Sequence, residues 1–157
     1  PANQYKCNTP NELLQAALSK GHRVSEWGIE LAKHMKVSGV VPDGDVDFVD
    51  ASNAELGYAD GCTVDQTIEA AARFNLEPCF HEDGLLVRGS FVDQPMGDCR
   101  LVALKEAITV FGGGLRVWCL RHKADGFWLS GREGRPDNVY GGDVRWVFRR
   151  KPPTLVA

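Results

Sequence analysis

The sequence predicts an α+β fold, with N-terminal helices at about residues 10–76 packed on one face of a curved antiparallel β-sheet formed by about residues 80–150. Three observations carry this. Up to Pro78, apolar residues recur every three to four positions behind helix-capping signals. Beyond it they fall in short runs rich in β-branched and aromatic residues. Composition agrees: 43% hydrophobic and 25% charged residues over 157 positions suffice to bury one core without staples. A single domain over residues 1–157 is expected, because no linker is polar enough to separate two.

Thr9, Pro10 and Glu12 form a helix start, and Leu13, Leu14, Ala17 and Leu18 continue it until Gly21. Ser25 caps a second helix carrying Trp27, Ile29, Leu31 and Met35, which ends before Gly39. Residues 40–60 hold five aspartates with Pro42, Gly44 and Gly57, and read as a long connection with one edge strand around Val46, Phe48 and Val49. Thr63 and Gln66 supply a capping box for a third helix with Ile68, Ala71, Ala72 and Leu76, and Asn75 and Pro78 close it. Strands are expected at residues 85–92, 100–104, 108–110, 115–122, 127–130 and 144–149. Asp125-Gly126 provides the positive φ for a hairpin between the fourth and fifth of these, and residues 131–143 read as a surface loop. Leu13, Trp27, Leu31, Ile68, Leu76, Leu86, Val117, Trp128, Trp146 and Phe148 are the expected core.

The net charge of −3 conceals a division. Residues 1–78 carry six basic against twelve acidic side chains, and residues 79–157 twelve against nine. No apolar run reaches the roughly 18–20 residues of a membrane span, and the first twenty residues lack a signal-peptide pattern. Five cysteines without tight spacing do not form a disulfide framework, so reduced thiols and a cytoplasmic location are expected.

Cys79 and His81, two residues apart, would share a face of an extended segment, as a thiol and its base must. A buried free cysteine beside a solvent-tipped histidine is the commoner reading of such a pair. No four-ligand set accompanies it, so no metal or other cofactor is expected. Asp43, Asp45 and Asp47 alternate like the start of a calcium loop, but Phe48 and Ala54 stand where that loop needs glycine and glutamate. Gly112, Gly113 and Gly114 lie between strands and lead into no helix, which favours a tight connection over a phosphate cradle.

The strongest binding candidates are Arg116, Trp118 and His122 on one strand, and Arg145 and Arg149 beside Trp146 and Phe148 on the last. Flat ligands stack on such surfaces, although half-buried strands with a wet arginine side look the same. The acidic net charge argues against a nucleic-acid partner.

Leu76-Glu77-Pro78-Cys79, Asp93-Gln94-Pro95-Met96-Gly97-Asp98, Gly126-Phe127-Trp128-Leu129, Pro136-Asp137-Asn138 and Arg145-Trp146-Val147-Phe148 span about the second half of the chain. In these segments it resembles small hypothetical proteins of bacterial genomes, a resemblance that implies no activity and carries over no catalytic residue. The sequence therefore points first to a non-catalytic binding or accessory protein of a bacterial cytoplasm, recognising a protein or small ligand through the sheet and the 131–143 loop. A cysteine hydrolase using Cys79 and His81, and a nucleic-acid module using the Arg/Trp face, are the alternatives. An unpaired edge on the last strand could join two copies as a homodimer.

Overall fold

The computed structural model describes residues 9–40 and 44–152. Helix α1 (Pro10–Ser19) opens at Thr9, whose hydroxyl accepts the Glu12 amide, with Pro10 at a position where no amide hydrogen is needed. The short strand β1 (Arg23–Val24) follows, and Ser25 then caps α2 (Glu26–His34) by accepting the Gly28 amide. After β2 (Phe48–Ser52), β3 (Cys62–Thr63) leads into α3 (Val64–Ala72). The capping box there is reciprocal: the Gln66 amide donates to Thr63 Oγ1 (3.3 Å) and the Thr63 amide to Gln66 Oε1 (3.0 Å).

The remaining elements are β4 (Leu76–Glu77), the short α4 (Gly84–Val87), β5 (Cys99–Val102), β6 (Ile108–Thr109), β7 (Leu115–Lys123), β8 (Gly126–Glu133), β9 (Val139–Tyr140) and β10 (Arg145–Arg150). An eight-stranded sheet runs β1-β8-β7-β5-β10-β2, with β4 also on β10 and β6 also on β7. The sheet is mixed, which corrects the antiparallel expectation: β1 lies parallel to β8, and β10 parallel to β5. The reason is a crossover. β8 and β10 run the same way, so residues 134–144 carry the chain back over β7 and β5, and β9 within that crossing pairs with β3 as a separate ribbon.

Residues paired across a ladder share a face, which shows how the sheet is covered. Trp118 stands opposite Gly131 on one face, where Gly84 lies directly against the Trp118 ring and Leu31 against Gly131, so α2 and α4 cover that side. Trp146 stands opposite Leu101, and Leu101 opposite Cys119; there Tyr140 meets the Trp146 ring edge-on at 5.1 Å, so the β9 crossing covers the other side. Buried Asn53 fastens this second layer by donating to the Tyr140 and Gly141 carbonyls while accepting from Thr67 of α3.

Four further expectations change. Residues 81–90 are helical turns rather than a strand at 85–92. Six of these positions are buried, Glu82, Asp83, Gly84, Leu85, Val87 and Arg88, and four of the six are a glycine or charged residues that an apolar count overlooks. The 131–143 loop loses residues 131–133 to β8 and residues 139–140 to β9. β10 is no edge strand, being flanked by β5 and by β2 and β4, so the homodimer edge imagined there does not exist.

Trp27 is 46% exposed instead of core. α2 docks through Gly28, where a Cβ would stand 2.8 Å from the Leu129 carbonyl oxygen; Leu31, Ala32 and Met35 turn inward with it, leaving Trp27 on the rim. Ile68, Leu86 and Trp128 are half-buried, whereas Leu13, Leu31, Leu76, Val117, Trp146 and Phe148 are buried as expected. Among the described residues no helix is long and apolar enough to cross a membrane.

Candidate functional site

Cys79, His81 and Arg149 do line one concavity, a cleft of about 370 Å³ between residues 77–81, residues 105–106 and the end of β10. Its chemistry is not that of a thiol and base. Residues 81–83 form a helical turn, so the extended spacing that would align Cys79 with His81 is absent. His81 instead clasps two segments: its Nδ1 accepts the Lys36 amide (3.0 Å) and its Nε2 donates to the Glu106 carbonyl (2.7 Å). The Cys79 thiol is 4% exposed and donates weakly to the Val147 carbonyl (3.7 Å). Burial first, and then the Asp83 carboxylate, push it well above the ordinary thiol range, which leaves no thiolate to attack a substrate.

Arg149 lies over the Phe80 ring (4.7 Å) with its Nε 3.4 Å from Asp83, a carboxylate with no exposed surface that also accepts the Phe80 amide. The charge is matched inside the protein, where removing either partner would strand the other. Arg145 is likewise committed, to Asp50 (2.5 Å) and Glu55 (2.9 Å), and Asp50 also faces Arg100 at 3.6 Å. Trp118 is fully buried and donates its indole hydrogen to the His81 carbonyl (2.9 Å). His122 donates from Nδ1 to the Gln94 carbonyl (2.6 Å) and stacks on Phe127 (4.1 Å, 23°). These residues hold the fold together, and the planar surface expected from Arg116, Trp118, His122, Arg145 and Arg149 does not exist as one patch.

Arg116 is the exception. Its guanidinium lies over the Trp27 ring, 3.4 Å from the centroid, and among the described residues it has neither a hydrogen-bond acceptor nor an ion-pair partner. Beside it the turn 111–114 lifts Phe111 until the ring is 89% exposed. The turn needs its glycines: Gly112 and Gly113 have φ of 87° and 85°, and the Gly113 amide is spent on the Val110 carbonyl (3.0 Å). Two hollows flank this tip. One of about 410 Å³ is lined by Glu26, Trp27, Glu30, Val110 and Phe111. The other, of about 300 Å³, is lined by Gly113, Gly114, Leu115, Arg116, Glu133 and Arg135.

Trp27 and Phe111 were the functional candidates that pattern reading missed. An aromatic residue directly before three glycines was the available signal for Phe111; nothing local marks Trp27 as exposed. Of the calcium-like aspartates, Asp43 lies outside the described residues and Asp47 pairs with Arg150 at 2.8 Å. Among the described residues no group of three His, Cys, Asp or Glu side chains could hold a metal ion. Compared with known proteins, the chain matches no family model, no curated protein and no solved structure.

Proposed function

We propose that this is a non-catalytic binding protein whose recognition surface is formed by Trp27, Phe111 and Arg116. Arg116 carries the reading: a guanidinium held flat on an indole, its donors uncommitted, next to an aromatic ring raised into solvent. A planar cation already fixed by stacking loses little freedom when it takes a second planar group, and its fork geometry suits carboxylate or phosphate. Phe111 offers the adjoining apolar contact. Glu26 and Glu30 repel an anion from the α2 side of the tip, while the unpaired Arg116 attracts one from the other side, where Arg135 is already paired with Asp137. The complementary ligand is a flat ring bearing a carboxylate or phosphate.

Titration of the isotope-labelled protein with benzoate and with adenosine 5′-monophosphate, followed by NMR, tests this. Shifts are expected at the Trp27 indole and the Gly112–Gly114 amides, weaker for adenosine without its phosphate. Losing a charged hydrogen bond of about 1.5–3 kcal/mol should make Arg116→Gln bind roughly 10- to 150-fold less tightly. Saturating probe that leaves these signals in place, or binding indifferent to Arg116→Gln, would dismiss the reading.

A further inference from the structure

The second place where the fold assembles reactive groups is the outer end of β5. Cys99 pairs with Arg121 of β7 and Leu101 with Cys119, which sets Cys99 and Cys119 as diagonal neighbours on one face of the sheet. The two thiols are neighbours across the β5–β7 ladder, and Arg132 of β8 donates to Cys99 Sγ at 3.7 Å. Cys119 has no exposed surface, whereas Cys99 is partly open to solvent.

We propose that Cys99 and Cys119 form a peroxide-sensitive thiol pair, in which Cys99 is oxidised first and Cys119 resolves it to a disulfide. The charged and titratable groups facing Cys99 are Arg132, Arg121 and Cys119. The neighbouring Cys119 thiol, then the contact and charge of Arg132, draw the Cys99 thiol below its ordinary range. The Cys99 thiol beside it, with burial, pushes Cys119 above that range, so of the two sulfurs Cys99 is the one that favours the thiolate.

The chemistry balances with a hydroperoxide as oxidant. The Cys99 thiolate attacks one peroxide oxygen, an S–O bond forms as the O–O bond breaks, and the departing oxygen leaves as hydroxide and takes up a proton. The sulfur of Cys119 then attacks that of Cys99, an S–S bond forms as the S–O bond breaks, and the Cys119 proton leaves with the hydroxyl group as water. Two thiols and one hydrogen peroxide yield a disulfide and two waters. Diagonal strand neighbours stand about 7–8 Å apart at Cα, beyond the roughly 4.4–6.8 Å that a disulfide spans. Closure must therefore draw the start of β5 toward β7, and such a bond is readily reduced.

The test treats the folded protein with stoichiometric hydrogen peroxide and maps the products by mass spectrometry. A linked Cys99–Cys119 peptide is expected, with the intact mass lower by two hydrogens. In Cys119→Ser, dimedone should label Cys99 as the sulfenic acid instead. In the wild type, the iodoacetamide rate at Cys99 should already be level at pH 8, where an ordinary thiol of pKa about 8.5 has reached only about a quarter of its maximum. Arg132→Gln should move that profile to higher pH. A Cys99 rate that still climbs severalfold from pH 8 to pH 9, or peroxide oxidation at Cys62 or Cys79 before Cys99, would overturn the proposal. Dimedone adducts on Cys99 in the wild type without a disulfide would remove Cys119 from its role. The wild-type rate profile stands even if Cys119→Ser does not fold.

Discussion

Replacing Gly84 by alanine sets two effects of opposite sign against each other. Gly84 begins α4 with helical backbone angles (φ −56°, ψ −36°), so propensity alone favours alanine by up to about 1 kcal/mol. The added Cβ, however, would stand 2.1 Å from Cδ1 and 2.2 Å from Nε1 of Trp118, a ring with no exposed surface into which to retreat. Overpacking of this kind costs about 1–3 kcal/mol. If the ring moves enough to break its bond to the His81 carbonyl, leaving a buried donor unmet costs about 1–3 kcal/mol more.

Packing wins, and the net loss should be roughly 1–4 kcal/mol, or a melting temperature about 3–15 °C lower for a chain of this length. Thermal melts followed by far-UV circular dichroism measure it, and near-UV spectra should change because the Trp118 environment changes. Gly89→Ala is the internal control: the nearest atom to a Cβ there is His22 Nε2 at 3.9 Å, so that variant should melt within about 2 °C of wild type, using the same conversion. A Gly84→Ala protein melting at or above wild type, or a Gly89→Ala protein falling as far, would refute the packing argument.

Thr63→Ala removes one half of the capping box that starts α3 and should cost about 1–2 kcal/mol, seen as a lower urea midpoint with an unchanged slope. A midpoint equal to wild type would show that tertiary contacts alone hold that end. His22 provides the pH dependence. Burial, then the nearby Lys20 and Arg88 charges, lower its folded-state pKa below the ordinary histidine value of 6.5, so the unfolded chain takes up the proton first. Stability is complete above pH 6.5 and falls as the pH drops through the lower folded value. Wild type should therefore lose more melting temperature between pH 7.5 and pH 5 than His22→Gln; equal losses would exclude His22 as the cause.

Much of the first half was readable because its signals are local. Thr9, Ser25 and Thr63 each hold an amide three residues on, and a cap of that kind needs nothing from the rest of the chain. The β7–β8 hairpin was readable for the same reason: Gly126, at φ 130°, follows Ala124 and Asp125, and Lys123 pairs with Gly126 to close it. The candidate site was far less visible. Arg145 and Arg116 look alike in sequence, each on a strand rich in aromatics. Only the strand order places Asp50 beside Arg145, and only the docking of α2 places Trp27 under Arg116.

By itself the sequence determined the helix starts, the hairpin and the glycine turn at 112–114, since each depends on φ and ψ preferences or hydrogen bonds within a few residues. Tertiary structure alone decided the mixed strand directions, the inward burial of Trp118, the outward turn of Trp27 and the meeting of Cys99 with Cys119. The physical reason is distance along the chain. The register of β5 on β7 and the crossing from β8 to β10 are fixed by burying both faces of one sheet at once, and that free energy belongs to no short segment.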